Sequence, residues 1–152
     1  KPADKSEFDG VKRKMNYTRI EAAQIDDLWQ LQLAYKKEIG EDKPSMEACD
    51  SLSAAIKAGI IEFYGAWDRD RLVGCCSVTK GFSTFNYGTS GVFEDFYIVP
   101  ENRRKGIARE IVRFAYENSG VESLTVACAD CDLDMYGALG FTIRLGNLLA
   151  LE

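Results

Sequence analysis

One stretch, Glu94 to Arg109, restricts the folds open to this chain more than any other. It opens as a strand. From Val92 to Val99 the residues alternate, with Val92, Glu94, Phe96 and Ile98 on one face and Phe93, Asp95, Tyr97 and Val99 on the other. Pro100 ends that strand, and a basic loop, Arg103-Arg104-Lys105-Gly106, leads into a helix. The helix buries Ile107, Ile111, Phe114 and Ala115, and Lys105, Arg109 and Arg113 form a basic stripe at i, i+4 spacing. A strand that delivers a loop to a helix N-terminus makes an anion cradle, because first-turn N–H groups lack intrahelical partners. Arg and Lys in the loop add full positive charge to that half-charge. Gly106 lets the backbone approach an anion with no Cβ in the way, and the small Ala108 permits close packing. Glu94 and Asp95 put a carboxylate on each face of a strand otherwise fit for a core, which is costly unless they are solvated or hydrogen-bonded. By parity only one of them lines a cleft, unless a bulge re-aims the other.

The other elements follow from periodicity. Residues 17–20 are β-prone. From Gln24 to Ile39 the residues Ile25, Leu28, Trp29, Leu31, Leu33, Tyr35 and Ile39 recur at helical spacing, and Gly40 stops the helix. Ser45 caps a second helix whose inner face carries Met46, Cys49, Leu52 and Ile56, closed by Gly59. Ile60 to Trp67 and Leu72 to Thr79 are strands joined by Asp68-Arg69-Asp70-Arg71. Gly81 to Gly91, with Phe82, Phe85 and Tyr87, reads either as a continuation of that hairpin or as an aromatic loop beside a site. After the central helix come a strand at Leu124 to Ala127, a short helix at Leu133 to Leu139, and a final strand or strand pair at Phe141 to Leu151. The order β-α-α-β-β-β-α-β-α-β predicts a single mixed α/β (α+β) domain, its central sheet mostly antiparallel and flanked by helices. Residues 1–14 read as a leader or flexible arm and residues 15–152 as the domain.

Composition removes whole classes of chemistry. The chain has no histidine, which excludes Ser-His-Asp and Cys-His machinery and every His-based metal site. Proton transfer must use Glu, Asp, Tyr, Cys, Lys or water. A net charge of −5 argues against a nucleic-acid or anionic-membrane binder and suits a cationic small molecule. Five cysteines, an odd number, read as reduced thiols in the cytoplasm. Cys128-x-x-Cys131 lacks the second pair that a four-ligand zinc site needs, so no metal is expected.

The stretch from Asp95 to Ala108, with its Arg103-x-x-Gly106-x-Ala108 turn, resembles the central motif of the GNAT superfamily of acyl-CoA-dependent N-acetyltransferases. Met135-Tyr136-Gly137-Ala138-Leu139-Gly140-Phe141 resembles that superfamily's aromatic-rich segment ending in Gly-Phe, and the element order from Tyr17 onward is similar as well. The resemblance implies an acetyltransferase that uses acetyl-CoA. Main-chain groups of Tyr97, Ile98 and Val99 would pair with the pantetheine arm. Arg103, Arg104, Lys105, Gly106, Ile107 and Ala108 would bind the diphosphate through backbone N–H groups, with the basic stripe reaching the outer phosphate. Tyr136 would protonate the leaving thiolate.

Glu94 is the candidate base, because attack on a thioester needs a neutral amine and the Glu94-Asp95-Phe96-Tyr97 order resembles members that acetylate polyamines and other small amines. Glu38, Phe82 and Asp95 are the candidate acceptor contacts. The implied acceptor is a polyamine-like primary amine, with an aminoglycoside or other antibiotic as the alternative. An acyl-CoA sensor without turnover is the alternative of another class, and a homodimer is common in the family. Ala127 to Asp132 lacks the CoA-contacting Asn of many members, and Asp130 is its candidate replacement.

Overall fold

A computed structural model describes residues 14–151. The expected leader at 1–14 therefore lies, but for Lys14, outside the described residues. Five strands form one sheet in the sequential order β1 (Asn16–Ile20), β2 (Ile61–Asp68), β3 (Arg71–Ser83), β4 (Gly88–Ile98) and β5 (Ser123–Val126). The first four are antiparallel neighbours, and only β4 and β5 run parallel. The helices are α1 (Ile25–Glu38), α2 (Met46–Lys57), α3 (Ile107–Ser119) and α4 (Leu133–Ala138). This is the mixed, mostly antiparallel architecture that the periodicity predicts.

Local chemistry fixes the element ends. The Ser45 side chain accepts from the Ala48 N–H and so starts α2, while Gly40 and Gly120 close α1 and α3 at positive φ. Arg69 turns the β2–β3 hairpin at φ 56°. Met46 departs from the expected inner face. It stands exposed at the first position of the helix, while Cys49 and Ile56 are buried.

The segment 81–91 resolves as hairpin. β3 runs on to Ser83 and pairs back on Gly88, so Phe82, Phe85 and Tyr87 end up exposed at its tip. Two expectations need correction. Residues 141–151 form no strand, and the face assignments along β4 change partway along it.

The change is a bulge. Cys75 faces Tyr97 and Ser77 faces Glu94, so Cys76 alone opposes the pair Asp95-Phe96. Asp95 absorbs the extra residue at φ 51°, in the left-handed region that Asp tolerates better than most residues. The Tyr64–Phe114 ring contact places Tyr64 on the α3 side, and the register carries that face to Cys76, Val78 and Phe93. Beyond the bulge, Phe96 and Ile98 join Phe93 on this side. Glu94, Asp95 and Tyr97 then share the face toward α1, where the Tyr97 ring meets Tyr35 at 5.5 Å. Val92 and Glu94 are thus separated from Phe96 and Ile98.

The core lies between the sheet and its helices. Ile20, Leu28, Phe63, Tyr64, Val78, Phe93, Ile107 and Ile111 are essentially inaccessible. Among the described residues it includes one buried charge, Glu62, which accepts from Tyr64 and pairs with Lys80 at 2.6 Å and Arg19 at 3.4 Å. A carboxylate taken out of water persists only with such partners.

Candidate active site

β4 and β5 pair from Ser90–Ser123 to Phe93–Val126 and then separate, although β4 continues to Ile98. The sheet therefore splits open at the bulge. A cleft of about 250 Å³ sits at the split, lined by Tyr35, Lys36, Ile39 and Glu41 from the α1 region, Phe93 to Phe96 of β4, Val126-Ala127 and Tyr136. Glu94 and Asp95 both face it, which parity alone would not allow. The Ser77 hydroxyl donates to an Asp95 carboxylate oxygen at 2.7 Å, and Ser77 is wholly buried, so this carboxylate is held from beneath.

Tyr136 forms another wall. Its ring packs against Phe141 at 5.9 Å, Phe96 at 6.4 Å and Phe93 at 6.5 Å. Burial among these rings, with nearby Tyr35, Asp132 and Cys128, pushes its phenol up to about 12. Tyr136 therefore carries its proton throughout the physiological range.

Past the cleft, the strand delivers the loop. Arg104 at φ 59° and Gly106 at φ 81° turn the chain ahead of α3, the kind of left-handed turn in which successive N–H groups can line an anion-binding concavity. A Cβ built on Gly106 would meet nothing within 4 Å, so the space in front of the loop is open. Arg104, Lys105 and Gly106 are exposed, whereas Ile107 is buried and Ala108 packs against the core. An anion, an exposed N–H concavity and two basic side chains fit one another chemically.

The three residues expected to meet pantetheine differ in which way their main chain turns. The Val99 N–H donates to the Val73 carbonyl at 2.9 Å, so alternation turns the main chain of Tyr97 and Val99 toward β3 and that of Ile98 toward the split. The Ile98 carbonyl accepts from Arg103 Nε at 2.8 Å.

Arg103 points backward. Its guanidinium grips Glu38 at 2.7 and 2.9 Å and lies 5.5 Å from the centre of the Tyr97 ring. The Tyr97 hydroxyl also hydrogen-bonds Glu38, and the Arg103 bond holds the Glu38 carboxyl below the usual carboxylate range. Glu38 thus ties α1 to the loop and is not among the residues lining the cleft.

Phe82 lies apart. It is five β3 positions beyond Ser77, roughly 17 Å at strand spacing, and its ring pairs with Tyr87. Arg113 bonds Glu110 and Arg109 donates to the Ala138 carbonyl, so much of the basic stripe fastens helices. The Asp130 side chain is fully exposed, 4.0 Å from Arg144. Among the described residues, no group of three or more His, Cys, Asp or Glu gathers where it could hold a metal.

Glu41, with Glu38 and Asp42, reads in sequence as a candidate acidic wall, and it lines the cleft; Tyr35 and Lys36 are not legible there as cleft residues. Tyr35 looks like one more apolar position of α1, and the Lys36–Glu41 pair at 2.6 Å looks like a solvated helix end. Only the packing of α1 on the sheet brings them to the split.

Comparison with known proteins places this geometry. Residues 60–143 match the family model of the acetyltransferase (GNAT) domain, which covers more than half the chain. No curated protein matches by sequence. Among solved structures, an aminoglycoside acetyltransferase from an uncultured soil metagenomic sample, in complex with sisomicin, superposes with a TM-score of 0.78 at 14% identity. The alignment covers 91% of this chain and 95% of that one. A predicted acetyltransferase with acetyl-CoA from Clostridium acetobutylicum gives 0.71 at 17% identity, over 91% and 96%. Glucosamine-6-phosphate N-acetyltransferase from Arabidopsis thaliana gives 0.70 at 15% identity, over 91% and 98%. The chain belongs to the GNAT family and is an acetyl-CoA-dependent acetyltransferase.

Proposed function

We propose that this GNAT acetyltransferase acetylates a primary amine of a small, cationic molecule by direct attack in a ternary complex. One observation carries the reading: the β4 bulge turns Glu94 and Asp95 into the same small cleft that Tyr136 walls. Two carboxylates suit an ammonium group. A cleft of about 250 Å³ suits one small amine or the arm of a larger one.

The residues then divide the work. The N–H groups of residues 104–108 would hold the diphosphate, and the Ile98 N–H the pantetheine arm. Acetyl-CoA, when bound, supplies the activated acyl thioester. Asp95, held by Ser77, faces the acceptor's charge. Glu94 takes the ammonium proton through water, which makes the amine nucleophilic.

Tyr136 keeps its proton for the leaving sulfur. With its phenol near 12 and an ordinary thiol near 8.5, outright transfer is uphill, so the hydroxyl acts first as a hydrogen-bond donor to the developing thiolate. The five free cysteines support a reducing, cytoplasmic setting, and no helix among the described residues is long and apolar enough to cross a membrane.

The test is a panel of polyamines, aminoglycosides, amino sugars and lysine peptides incubated with acetyl-CoA while free thiol is followed. The aminoglycosides belong in it because one fold neighbour is an aminoglycoside acetyltransferase. Turnover on a small cationic amine supports the proposal. Turnover on peptides alone, or CoA binding with no turnover on any amine, would refute it.

A further inference from the structure

The acceptor cleft already contains a primary amine. Among the described lysines Lys36 alone lines it, beside Glu94, Asp95 and Tyr136. The side chain comes from the last turn of α1, and its Nζ lies 5.9 Å from the centre of the Tyr35 ring, another wall of the cleft. A lysine ends in an alkylammonium on a flexible four-carbon stem. That is the same reacting group that the proposed acceptor brings.

Lys36 is parked in the cleft without being locked there. Its ammonium donates to a Glu41 carboxylate oxygen at 2.6 Å. The two side chains are 31% and 55% exposed, and an ion pair so open to water is weak and readily broken. The Glu41 hydrogen bond holds the amine above the ordinary lysine range, and the charge of Asp95 adds to the pull. Glu94 and Asp95 line the same cleft, so the ammonium can exchange one carboxylate for another without leaving it.

We infer that Lys36 is acetylated in cis, by its own copy of the enzyme, when acetyl-CoA is bound and no acceptor fills the cleft. This rests on the acceptor reading above, because it uses the same base and the same donor to sulfur. Tethering replaces a binding step, since the amine is held at a high effective concentration beside the reacting groups. A bond forms between Nζ and the acetyl carbon as the carbon–sulfur bond breaks. The nitrogen gives up two protons. One passes through water and Glu94 to solvent, and the other ends on the departing sulfur, to which Tyr136 donates. An ammonium and a thioester thus become an amide, a thiol and a free proton. The product is uncharged, so Glu41 loses this partner and an amide occupies the cleft.

Lys37 is the internal control. It follows Lys36 on α1, is exposed, and lies outside the cleft. Uncatalysed acetylation needs a deprotonated amine, and it therefore disfavours Lys36, whose proton Glu41 holds.

The test incubates the whole protein with acetyl-CoA and no amine, and follows acetylated peptides by mass spectrometry. Lys36 should gain acetyl about 10²-fold faster than Lys37, at a rate per chain unchanged by dilution. Urea should abolish the preference, and Glu94→Gln and Tyr136→Phe should each slow Lys36 about 10²-fold at neutral pH. Lys36 modified no faster than Lys37, a preference that survives urea, or a rate per chain that falls on dilution would overturn the inference.

A second measurement needs no cofactor. With acetyl-CoA absent, the NMR signal of the Lys36 ε-methylene should move on Asp95→Asn while that of Lys37 stays in place. An unmoved Lys36 signal would contradict the placement of its amine. The amine panel separates the two readings. Turnover of a free amine with Lys36 unmodified overturns this inference alone. Lys36 acetylated while every free amine is refused supports it and counts against the small acceptor.

Discussion

The two halves of the candidate active site are built by opposite means. The loop at 103–108 is contiguous, and it would meet its ligand with main-chain N–H groups set by two left-handed residues. The cleft is assembled from side chains of the α1 region, β4, the end of β5 and α4, and its character depends on one bulge. A main-chain site needs only a local conformation and tolerates many side chains. A side-chain cleft needs the correct register across long sequence separations. The first half should therefore respond to changes in backbone freedom, and the second to changes in charge and proton supply.

Tyr136→Phe probes the cleft most severely. It should lower kcat by about 10²–10⁴-fold, the usual worth of a positioned proton donor, and leave acetyl-CoA affinity within about twofold. The phenol lies near 12 and stays protonated below about pH 11, so the variant's pH–rate profile should keep its shape. An alkaline limb lost with the hydroxyl would show that Tyr136 titrates in the working range. Glu94→Gln should cost about 10²-fold at neutral pH and recover as pH rises and the amine deprotonates unaided. Equal losses at all pH values would remove the base role.

Asp95→Asn keeps a residue that accepts the left-handed conformation and can still accept from Ser77, so its loss is one of charge. The amine KM should rise about tenfold, as for one charge-assisted hydrogen bond, with the acetyl-CoA KM unmoved. Arg103→Lys is the mildest. It replaces bonds from a single guanidinium nitrogen to both Glu38 oxygens, in a pair about two-fifths exposed at both partners, so the urea midpoint of unfolding should move little. A loss of several kcal/mol would mean that the pair supports the loop itself.

The same division explains what the sequence made legible. The strand–loop–helix unit, the Ser45 cap, the β2–β3 hairpin and the mostly antiparallel character of the sheet depend on short-range periodicity and turn chemistry, so they could be read directly. The α1-side identity of Glu94 and Asp95 could not, because a bulge flips parity without changing the alternating pattern around it. Glu38 has the composition of an acidic wall, but Arg103, 65 positions later, claims it. Phe82 looked like a site aromatic because nothing local distinguishes a hairpin tip from a cleft rim. Residues 141–151 have a strand's composition but pair with no strand among the described residues, and strand composition does not by itself supply a pairing partner.

The separation of the two halves is tested most directly by titrating acetyl-CoA calorimetrically into the parent protein, Gly106→Ala and Asp95→Asn. At φ 81°, alanine is strained by about 1–2 kcal/mol. The exposed loop relieves that strain by relaxing when free and must recover it to bind, and the new Cβ projects into the open space before the loop. Gly106→Ala should therefore bind acetyl-CoA about 5–30-fold more weakly, while Asp95→Asn binds like the parent. Parent-like binding by Gly106→Ala, or weakened binding by Asp95→Asn, would contradict the assignment of cofactor to main chain and amine to side chains.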